Sequence, residues 1–149
     1  MIVNSRTSRE AVPELARVLV VNDDPASRIT LQTVLEAGGY RVDGAATAAE
    51  AVGKMQDHQY QLVLSDLQME SPEAGLRVIA HAQLMKYAPA TALVTTWQNS
   101  RILDNFSDAE SILVATQDIP GLLTKVALLI STRATRMVER ELRLACRYN

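Results

Sequence analysis

The chain has 149 residues, of which 48% are hydrophobic and 21% are charged, and its formal net charge is −2. This is typical of one globular domain with its own core, and the bulk charge does not indicate a nucleic-acid or membrane partner. The single cysteine, Cys146, excludes a disulfide within the chain, and no paired Cys/His set suggests zinc. No apolar run is long enough for a signal peptide or a membrane span, so we expect a cytoplasmic protein.

The N-terminal part of the chain predicts a leader and then a strand and a helix. Residues 1–16 are polar and are predicted to be a leader or a loosely docked extension. Arg17–Asn22 is an apolar run of the kind that is buried on both faces of a parallel sheet. Asp24 and Pro25 fit the N-cap and first residue of a helix that ends at Gly38-Gly39. Its inward side chains are predicted to be Ile29, Leu31, Val34 and Leu35.

A second strand and helix follow. Tyr40–Ala45 is predicted to be a short strand, and Thr47 and Glu50 form a capping-box pattern that opens a helix. The residues predicted to share the inward side of this helix are Ala48, Ala51, Val52 and Met55.

The third strand, Gln61–Ser65, runs directly into Asp66. A loop containing Pro72 leads to a third helix, which Pro89 is expected to close. The apolar residues assigned to this helix are Leu76, Ile79, Ala80, Leu84 and Tyr87.

The remaining chain predicts two more strands and a long helix. Thr91–Thr96 is the fourth strand and Ser111–Ala115 is the fifth. Residues 97–110 show no clear pattern, and one interpretation is a short helix around Ile102 and Leu103. Asp118-Ile-Pro120 opens a last helix, whose inward residues are predicted to be Leu122, Leu123, Val126, Leu129 and Ile130.

Five alternations of strand and helix predict an α/β fold with a doubly wound, five-stranded parallel sheet in the flavodoxin-like order 2-1-3-4-5. In this order the first and third strands end side by side at a switch point. Their polar ends, together with that of the fourth strand, would then converge on one edge of the sheet. The converging residues would be Asn22, Asp23, Asp66 and either Thr95 or Thr96.

Crowded carboxylates at one edge repel each other unless a cation lies between them. Asp23, Asp66 and a nearby backbone carbonyl suit Mg²⁺, and a carboxylate beside Mg²⁺ can accept a phosphoryl group. A hydroxyl from the next strand could then donate a hydrogen bond to the phosphoryl oxygens. The alternative interpretation is that Asp66 only ends its strand or caps the following turn.

Residues 17–130 resemble the receiver domain of two-component response regulators. The resemblance rests on Val18-Leu-Val-Val-Asn22-Asp23-Asp24-Pro25, Ala37-Gly-Gly-Tyr-Arg-Val42 and Leu62-Val-Leu-Ser-Asp66-Leu-Gln-Met69. It implies that Asp66 is the phosphoacceptor, and that Mg²⁺ is held by Asp23, Asp66 and the backbone carbonyl of Gln68. Asn22 would contribute only indirectly. Thr95 corresponds best to the switch hydroxyl of the family, because Trp97 then occupies a position that is often aromatic in the family. Thr96 is the alternative.

The chain also departs from the pattern of this family. Asn22 replaces the first acid, and Glu70 stands where the family usually has proline. Ala115 and Thr116 stand where the family has a phosphoryl-pairing lysine and a proline. Ile112 takes the position of the usual switch aromatic. The resemblance therefore implies that the nucleophile is retained, whereas residues through which the family responds to phosphorylation are missing.

The last helix is predicted to run past the usual end of the domain, so that residues 131–149 form an extension. These residues carry five Arg against two Glu, whereas residues 1–130 carry 10 Lys and Arg against 15 Asp and Glu. The arginines recur at steps of three and four and predict one basic stripe: Arg133, Arg136, Arg140, Arg143 and Arg147. The alternatives are a solvated helix end, with Glu139 paired to Arg143, or a helix for dimerisation or partner docking. Nucleic acid is disfavoured because no aromatic residues interleave the stripe.

Two functions follow from the resemblance. One is a receiver that accepts a phosphoryl group on Asp66 from a histidine kinase or phosphotransfer protein and signals by binding a downstream protein. The other is a phosphorylation-independent interaction module. A haloacid-type phosphatase is disfavoured because Gln68 replaces its second Asp, and a flavodoxin-like cofactor site is disfavoured by the acidic loop after the first strand. We therefore expect no enzyme beyond a phosphoacceptor with self-catalysed phosphotransfer and dephosphorylation.

Overall fold

The computed structural model describes residues 16–66, 69–71, 73–95, 111–114 and 119–147, with the backbone alone for Thr95, 111–114 and Arg147. Several predictions fall outside these ranges and stay predictions. They concern the leader before residue 16, the helix around Ile102 and Leu103, and the roles of Gln68, Pro72, Thr96, Trp97, Ala115, Thr116 and Asp118.

Five strands form one parallel sheet in the order β2-β1-β3-β4-β5, which confirms the predicted topology. The strands are β1 Arg17–Val21, β2 Arg41–Ala45, β3 Leu62–Asp66, β4 Ala90–Thr95 and β5 Ser111–Val114. The described helices, numbered in chain order, are α1 Pro25–Ala37, α2 Ala48–Asp57, α3 Ala74–Leu84 and α4 Ile119–Arg147.

Helices cover both faces of the sheet, so the strands are buried on both sides. On one face, Val18, Val20, Leu62 and Leu64 pack with α1 and α4. On the other face, Leu19, Val21 and Val63 pack with α2 and α3. Each fully buried Val or Leu side chain contributes about 1.5–3 kcal/mol. Strands that are buried on both faces are apolar at every position. For this reason the strands were recognised as continuous apolar runs and not as alternating apolar and polar residues.

The predicted starts of α1 and α2 and the glycine end of α1 are confirmed, whereas the prediction that Pro89 closes α3 was wrong, because that helix ends at Leu84. The Asp24 carboxylate accepts hydrogen bonds from the Ser27 backbone N–H at 3.0 Å and the Ser27 hydroxyl at 2.5 Å, and Pro25 is the first residue of α1. Gly39 has φ 100°, a left-handed conformation that glycine adopts without strain, and it lies directly after the C-cap. Thr47 caps α2 by accepting from the N–H of Glu50 at 3.1 Å.

Two predicted helix faces were partly wrong. Ile29 is 58% exposed, whereas Leu35 of the same helix is fully buried. In α3, Ala80 is exposed and Leu84 is 81% exposed. The helix ends at Leu84, so Tyr87 lies beyond it and reaches α2 from a turn. The prediction for Ile79 is confirmed, and the other buried residues of α3 are Ala74, Gly75, Val78 and Ala82.

The long last helix is confirmed, and α4 continues without a break from Ile119 to Arg147. Its first half packs on the sheet through Leu122 and Val126, which are buried, and Leu123, Leu129 and Ile130, which are partly buried. From residue 134 onward every described side chain except Met137 is exposed. A separate extension from residue 131 stays a prediction, because the helix passes through that boundary uninterrupted. Within the described ranges, no helix combines the length and apolar character needed to cross a membrane.

Candidate functional site

The carboxyl ends of β1, β3 and β4 meet at one edge of the sheet. Val21 pairs with Ser65 and Asp66 pairs with Val94, so the residues after β1 lie beside Asp66. Thr95 follows Val94 at the end of β4. The strand register therefore brings the ends that carry Asn22, Asp66 and Thr95 to the same edge, as the topology predicted.

The three polar residues after β1 have different environments. The Asn22 amide oxygen accepts a hydrogen bond from the Asp24 N–H at 2.9 Å, and its backbone N–H donates to the carbonyl of Ala45 at 3.0 Å. The Asp24 carboxylate is bonded to Ser27, and the hydroxyl and N–H of Ser27 lower the pKa of Asp24. The Asp23 side chain is exposed, and within the described ranges it has no hydrogen bond or ion pair. Of the two carboxylates, Asp23 is therefore the more available to a ligand.

Asp66 is half-buried at the end of a strand that is otherwise fully buried. Next to it, the buried Ser65 hydroxyl donates to the Asp66 carbonyl at 3.2 Å and lies 3.6 Å from the Met69 sulfur. Met69 itself packs against the core layer beneath α2 and α3. These contacts hold the chain on both sides of Asp66.

Glu70 has a role that the sequence did not reveal. One of its carboxylate oxygens accepts the backbone N–H of Ala48, the first residue of α2, at 2.8 Å. A carboxylate at a helix N-terminus satisfies a free N–H and interacts favourably with the helix dipole. Glu70 therefore ties the loop after β3 to α2. Glu70 and Ala48 are 22 residues apart in the sequence, so no local sequence pattern predicts this contact.

Arg28 is a second residue that the sequence interpretation missed. Its guanidinium donates to the backbone carbonyl of Asn22 at 2.7 Å. The contact places a positive charge from α1 beside the acidic turn and ties that turn to the helix. The signal was present in the sequence, because Arg28 lies one turn after the N-cap Asp24.

The residues at this edge fit a hydrated Mg²⁺ ion. Asp23 lies in the turn after β1 and Asp66 ends the adjacent strand β3, and Mg²⁺ usually takes one or two protein carboxylates and keeps several waters. The amide oxygen of Asn22 already accepts the Asp24 N–H, which is consistent with the indirect role predicted for Asn22. Among the residues that the structure describes, no group of three His, Cys, Asp or Glu side chains forms a fuller protein cage. Gln68, the third predicted ligand, lies outside the described ranges.

Comparison with known proteins agrees with this arrangement. The sequence profile of the response regulator receiver domain matches residues 18–114. The chain is 35% identical over 78 residues to the gliding motility regulatory protein of Myxococcus xanthus, covering 52% of this chain and 10% of that protein. It is 29% identical over 90 residues to the transcriptional regulatory protein ResD of Bacillus subtilis, covering 60% of this chain and 37% of that protein. The chain thus spans well under half of either relative.

Among solved structures, the fold is similar to the response regulator TrrA of Thermotoga maritima in complex with Mg²⁺-BeF. The two chains superpose with a TM-score of 0.68 and are 30% identical, over 77% of this chain and 99% of that one. Receiver domains are generally signalling modules rather than enzymes. The profile match, the sheet order and the acidic edge agree, and this chain belongs to the receiver domain family of two-component response regulators.

Proposed function

We propose that this receiver accepts a phosphoryl group on Asp66 from a histidine kinase or phosphotransfer protein and signals by binding a downstream protein. The observation that carries the proposal is the shared edge of β1 and β3. There Asp66 lies beside the turn that holds the exposed Asp23 carboxylate. In the alternative, Asp66 only ends its strand or caps the following turn, and the experiment below distinguishes the two interpretations.

A bound Mg²⁺ would neutralise the charge of the entering phosphoryl group. Asp23, Asp66 and the Gln68 carbonyl are the residues we assign to hold it, with Asn22 acting only through the shape of its turn. The similar structure of TrrA in complex with Mg²⁺-BeF supports this assignment.

The chain's own residues would position and receive the phosphoryl group. A carboxylate oxygen of Asp66 attacks phosphorus, the O–P bond forms, and the P–N bond to the donor imidazole breaks as that ring takes a proton. The hydroxyl of Thr95, or of Thr96 as the fallback, would donate to a phosphoryl oxygen. Catalysis by the chain would be limited to its own phosphorylation and dephosphorylation.

Intact mass spectrometry after incubation with acetyl phosphate and Mg²⁺ tests this proposal. Wild type should gain one phosphoryl group and Asp66→Asn should gain none. Asp57→Asn is the matched control, because Asp57 is an exposed aspartate at the end of α2 and should leave phosphorylation unchanged. A wild-type protein without added mass, or an Asp66→Asn protein modified equally, would contradict the assignment.

A phosphorylation-independent interaction module is the second candidate. It is favoured by Ala115, which replaces the phosphoryl-pairing lysine, and by Ile112, which replaces the switch aromatic. Emission from Trp97, the single tryptophan, distinguishes the two functions on addition of Mg²⁺ and beryllofluoride. A change in wild type that is absent in Asp66→Asn supports the phosphorylated receiver. Phosphorylation without any change in emission supports the second candidate.

The proposed partners are proteins in the cytoplasm rather than membranes or nucleic acid, and a second copy of this chain is one of them.

The outward side of α4 carries residues that recur with a period of seven, at alternating steps of three and four. We call them the outer seam: Leu128, Ser131, Thr135, Val138, Leu142 and Ala145. These residues are all exposed, and Leu128, Val138 and Leu142 are 64%, 55% and 60% exposed. Alternating steps of three and four are the spacing of a coiled-coil seam, so we propose a homodimer through this side of α4.

A further inference from the structure

In addition to its apolar packing on the sheet, the last helix is bonded to the domain through a charged residue, Arg133. Its guanidinium donates to the carbonyl of Ala88 at 3.0 Å and to the carbonyl of Tyr87 at 2.6 Å. Burial lowers the pKa of Arg133, and the neighbouring charge of Arg136 lowers it further. An arginine stays charged under such shifts. Arg133 therefore ties α4 to the turn before β4, beyond the residues through which the helix packs on the sheet.

Beyond Arg133 the same side of α4 faces a cleft of about 320 Å³. One wall is formed by Arg136, Met137, Arg140 and Arg143, and the other includes Ala88 and Pro89. Among the side chains that line this cleft in the described structure, none is acidic. We call it the arginine cleft.

The positive charges in the arginine cleft are unfavourably spaced. Arg140 and Arg143 lie three residues apart on one helix, and like charges at neighbouring helix positions cost about 0.2–0.5 kcal/mol per pair. The predicted compensation of Arg143 by Glu139 does not occur within the described chain, where neither residue has an ion pair. A bound anion would remove the repulsion, so the charge arrangement favours an acidic occupant.

The chemistry of the walls selects among acidic occupants. Guanidinium groups bind carboxylates with two parallel hydrogen bonds, and Met137 and Pro89 add apolar surface between the charges. Nucleic acid fits less well, because residues 1–130 carry 10 Lys and Arg against 15 Asp and Glu and would repel an extended polyanion. A short acidic segment would meet mainly the local positive field, because screening limits the reach of distant charges.

We propose that the arginine cleft is a docking site for an acidic, amphipathic segment of a partner protein. The site lies on the side of α4 opposite the outer seam, and its Ala88 and Pro89 precede β4 at the edge of the sheet opposite the one that carries Asp66. Docking there is therefore separate from phosphorylation, and its failure would leave the proposed function untouched.

Fluorescence anisotropy with a labelled peptide of about 14 residues, carrying glutamates at i,i+4 spacing among leucines and alanines, tests the proposal at about 0.15 M salt. A peptide with glutamine in place of glutamate is the ligand control. The protein variant is Arg140→Gln/Arg143→Gln. Its matched control, Arg77→Gln/Lys125→Gln, removes two exposed positive charges outside the cleft.

The cleft variant should bind the glutamate peptide about tenfold more weakly than wild type, while the control variant stays within about twofold. The glutamine peptide should bind wild type at least tenfold more weakly. Equal loss in both variants would show an effect of net charge alone and overturn the proposal. So would equal binding of the two peptides, absence of peptide binding, or tighter, cleft-dependent binding of a single-stranded DNA oligonucleotide.

Discussion

At the scale of single residues, Asp43 is held by two partners from neighbouring strands and loops. Its carboxylate accepts the Tyr60 hydroxyl at 2.7 Å and forms an ion pair with Arg17 at 3.0 Å. The Arg17 guanidinium also lies 5.4 Å from the centre of the Tyr60 ring. Burial alone would raise the pKa of Asp43, but these two partners outweigh it and lower the pKa. The cluster therefore joins β1, β2 and the start of β3 through one ionised carboxylate.

Removal of the Tyr60 hydroxyl should destabilise the protein. Tyr60→Phe keeps the fully buried ring and deletes a hydrogen bond to a charged acceptor, so we expect a loss of about 1.5–3 kcal/mol in the free energy of unfolding. Urea unfolding at pH 7 measures it. Tyr40→Phe is the matched control, because the described structure shows no hydrogen bond to the Tyr40 hydroxyl. Equal losses in the two variants would mean that the Asp43 contact contributes nothing specific.

The same cluster predicts a pH dependence. Because the pKa of Asp43 is lower in the folded state than the unfolded value of about 3.9, its stabilisation is fully present above that value. It is lost as the pH falls through the folded-state pKa. The difference in unfolding free energy between wild type and Tyr60→Phe should therefore shrink as the pH is lowered from 7 through 4 toward about 2.5. A difference that stays constant over this range would rule out the charged hydrogen bond as its source.

At the scale of elements, the position of α4 depends on Arg133. Arg133→Met keeps most of the apolar stem but leaves two carbonyls without their donor, so we expect a loss of about 1–3 kcal/mol. Hydrogen exchange of residues 131–147 should become faster in this variant. Arg140→Met is the matched control, because Arg140 is exposed and has no described ion pair. Unchanged exchange in Arg133→Met would show that α4 is held elsewhere.

The outer seam of α4 gives a second prediction for an element. A glutamate at Leu142 would place a charge in the middle of the proposed coiled coil, so Leu142→Glu should weaken the homodimer at least about tenfold. Sedimentation velocity over a concentration series measures this. Leu84→Glu introduces the same charge at an exposed leucine on α3 and should leave the association unchanged. A monomeric wild type, or equal dissociation of both variants, would contradict a dimer through this seam.

The elements also show what a sequence can and cannot give. Strands buried on both faces and capped helix starts were predictable, because Val18–Val21, Asp24 and Thr47 carry strong local signals. Ile29 and Leu84 were assigned inward because they are apolar. Each lies six residues from a buried residue of its helix, Leu35 or Val78, and six residues correspond to about 120° around the axis. The assignment used only their apolar character and was therefore wrong. Counting about 100° per residue around the helix would have placed both side chains on the outward side.

At the scale of the whole molecule, the site was predictable to the extent that it follows from topology. The sheet order alone brings the ends of β1 and β3 together, and so places Asp66 beside the turn at Asp23. The contacts of Glu70 with α2 and of Arg28 with Asn22 were not predictable in the same way. They depend on the positions of the loop after β3 and of α1 relative to the sheet, which are determined by packing over the whole domain.

Mg²⁺ binding should be visible in the stability of the whole domain. A ligand that binds only the folded state at ten times its Kd stabilises that state by about 1.4 kcal/mol, which raises Tm by roughly 4 °C for a domain of this size. Wild type should show such a rise with Mg²⁺, and Asp23→Asn and Asp66→Asn should each lose most of it, because two carboxylates share the ion. Asp57→Asn should keep the full rise, whatever its own Tm, because Asp57 lies at the far end of α2. A rise in Tm that persists in both site variants would show that Mg²⁺ binds elsewhere. Asp66 would then lack the metal on which the proposed phosphoryl transfer depends.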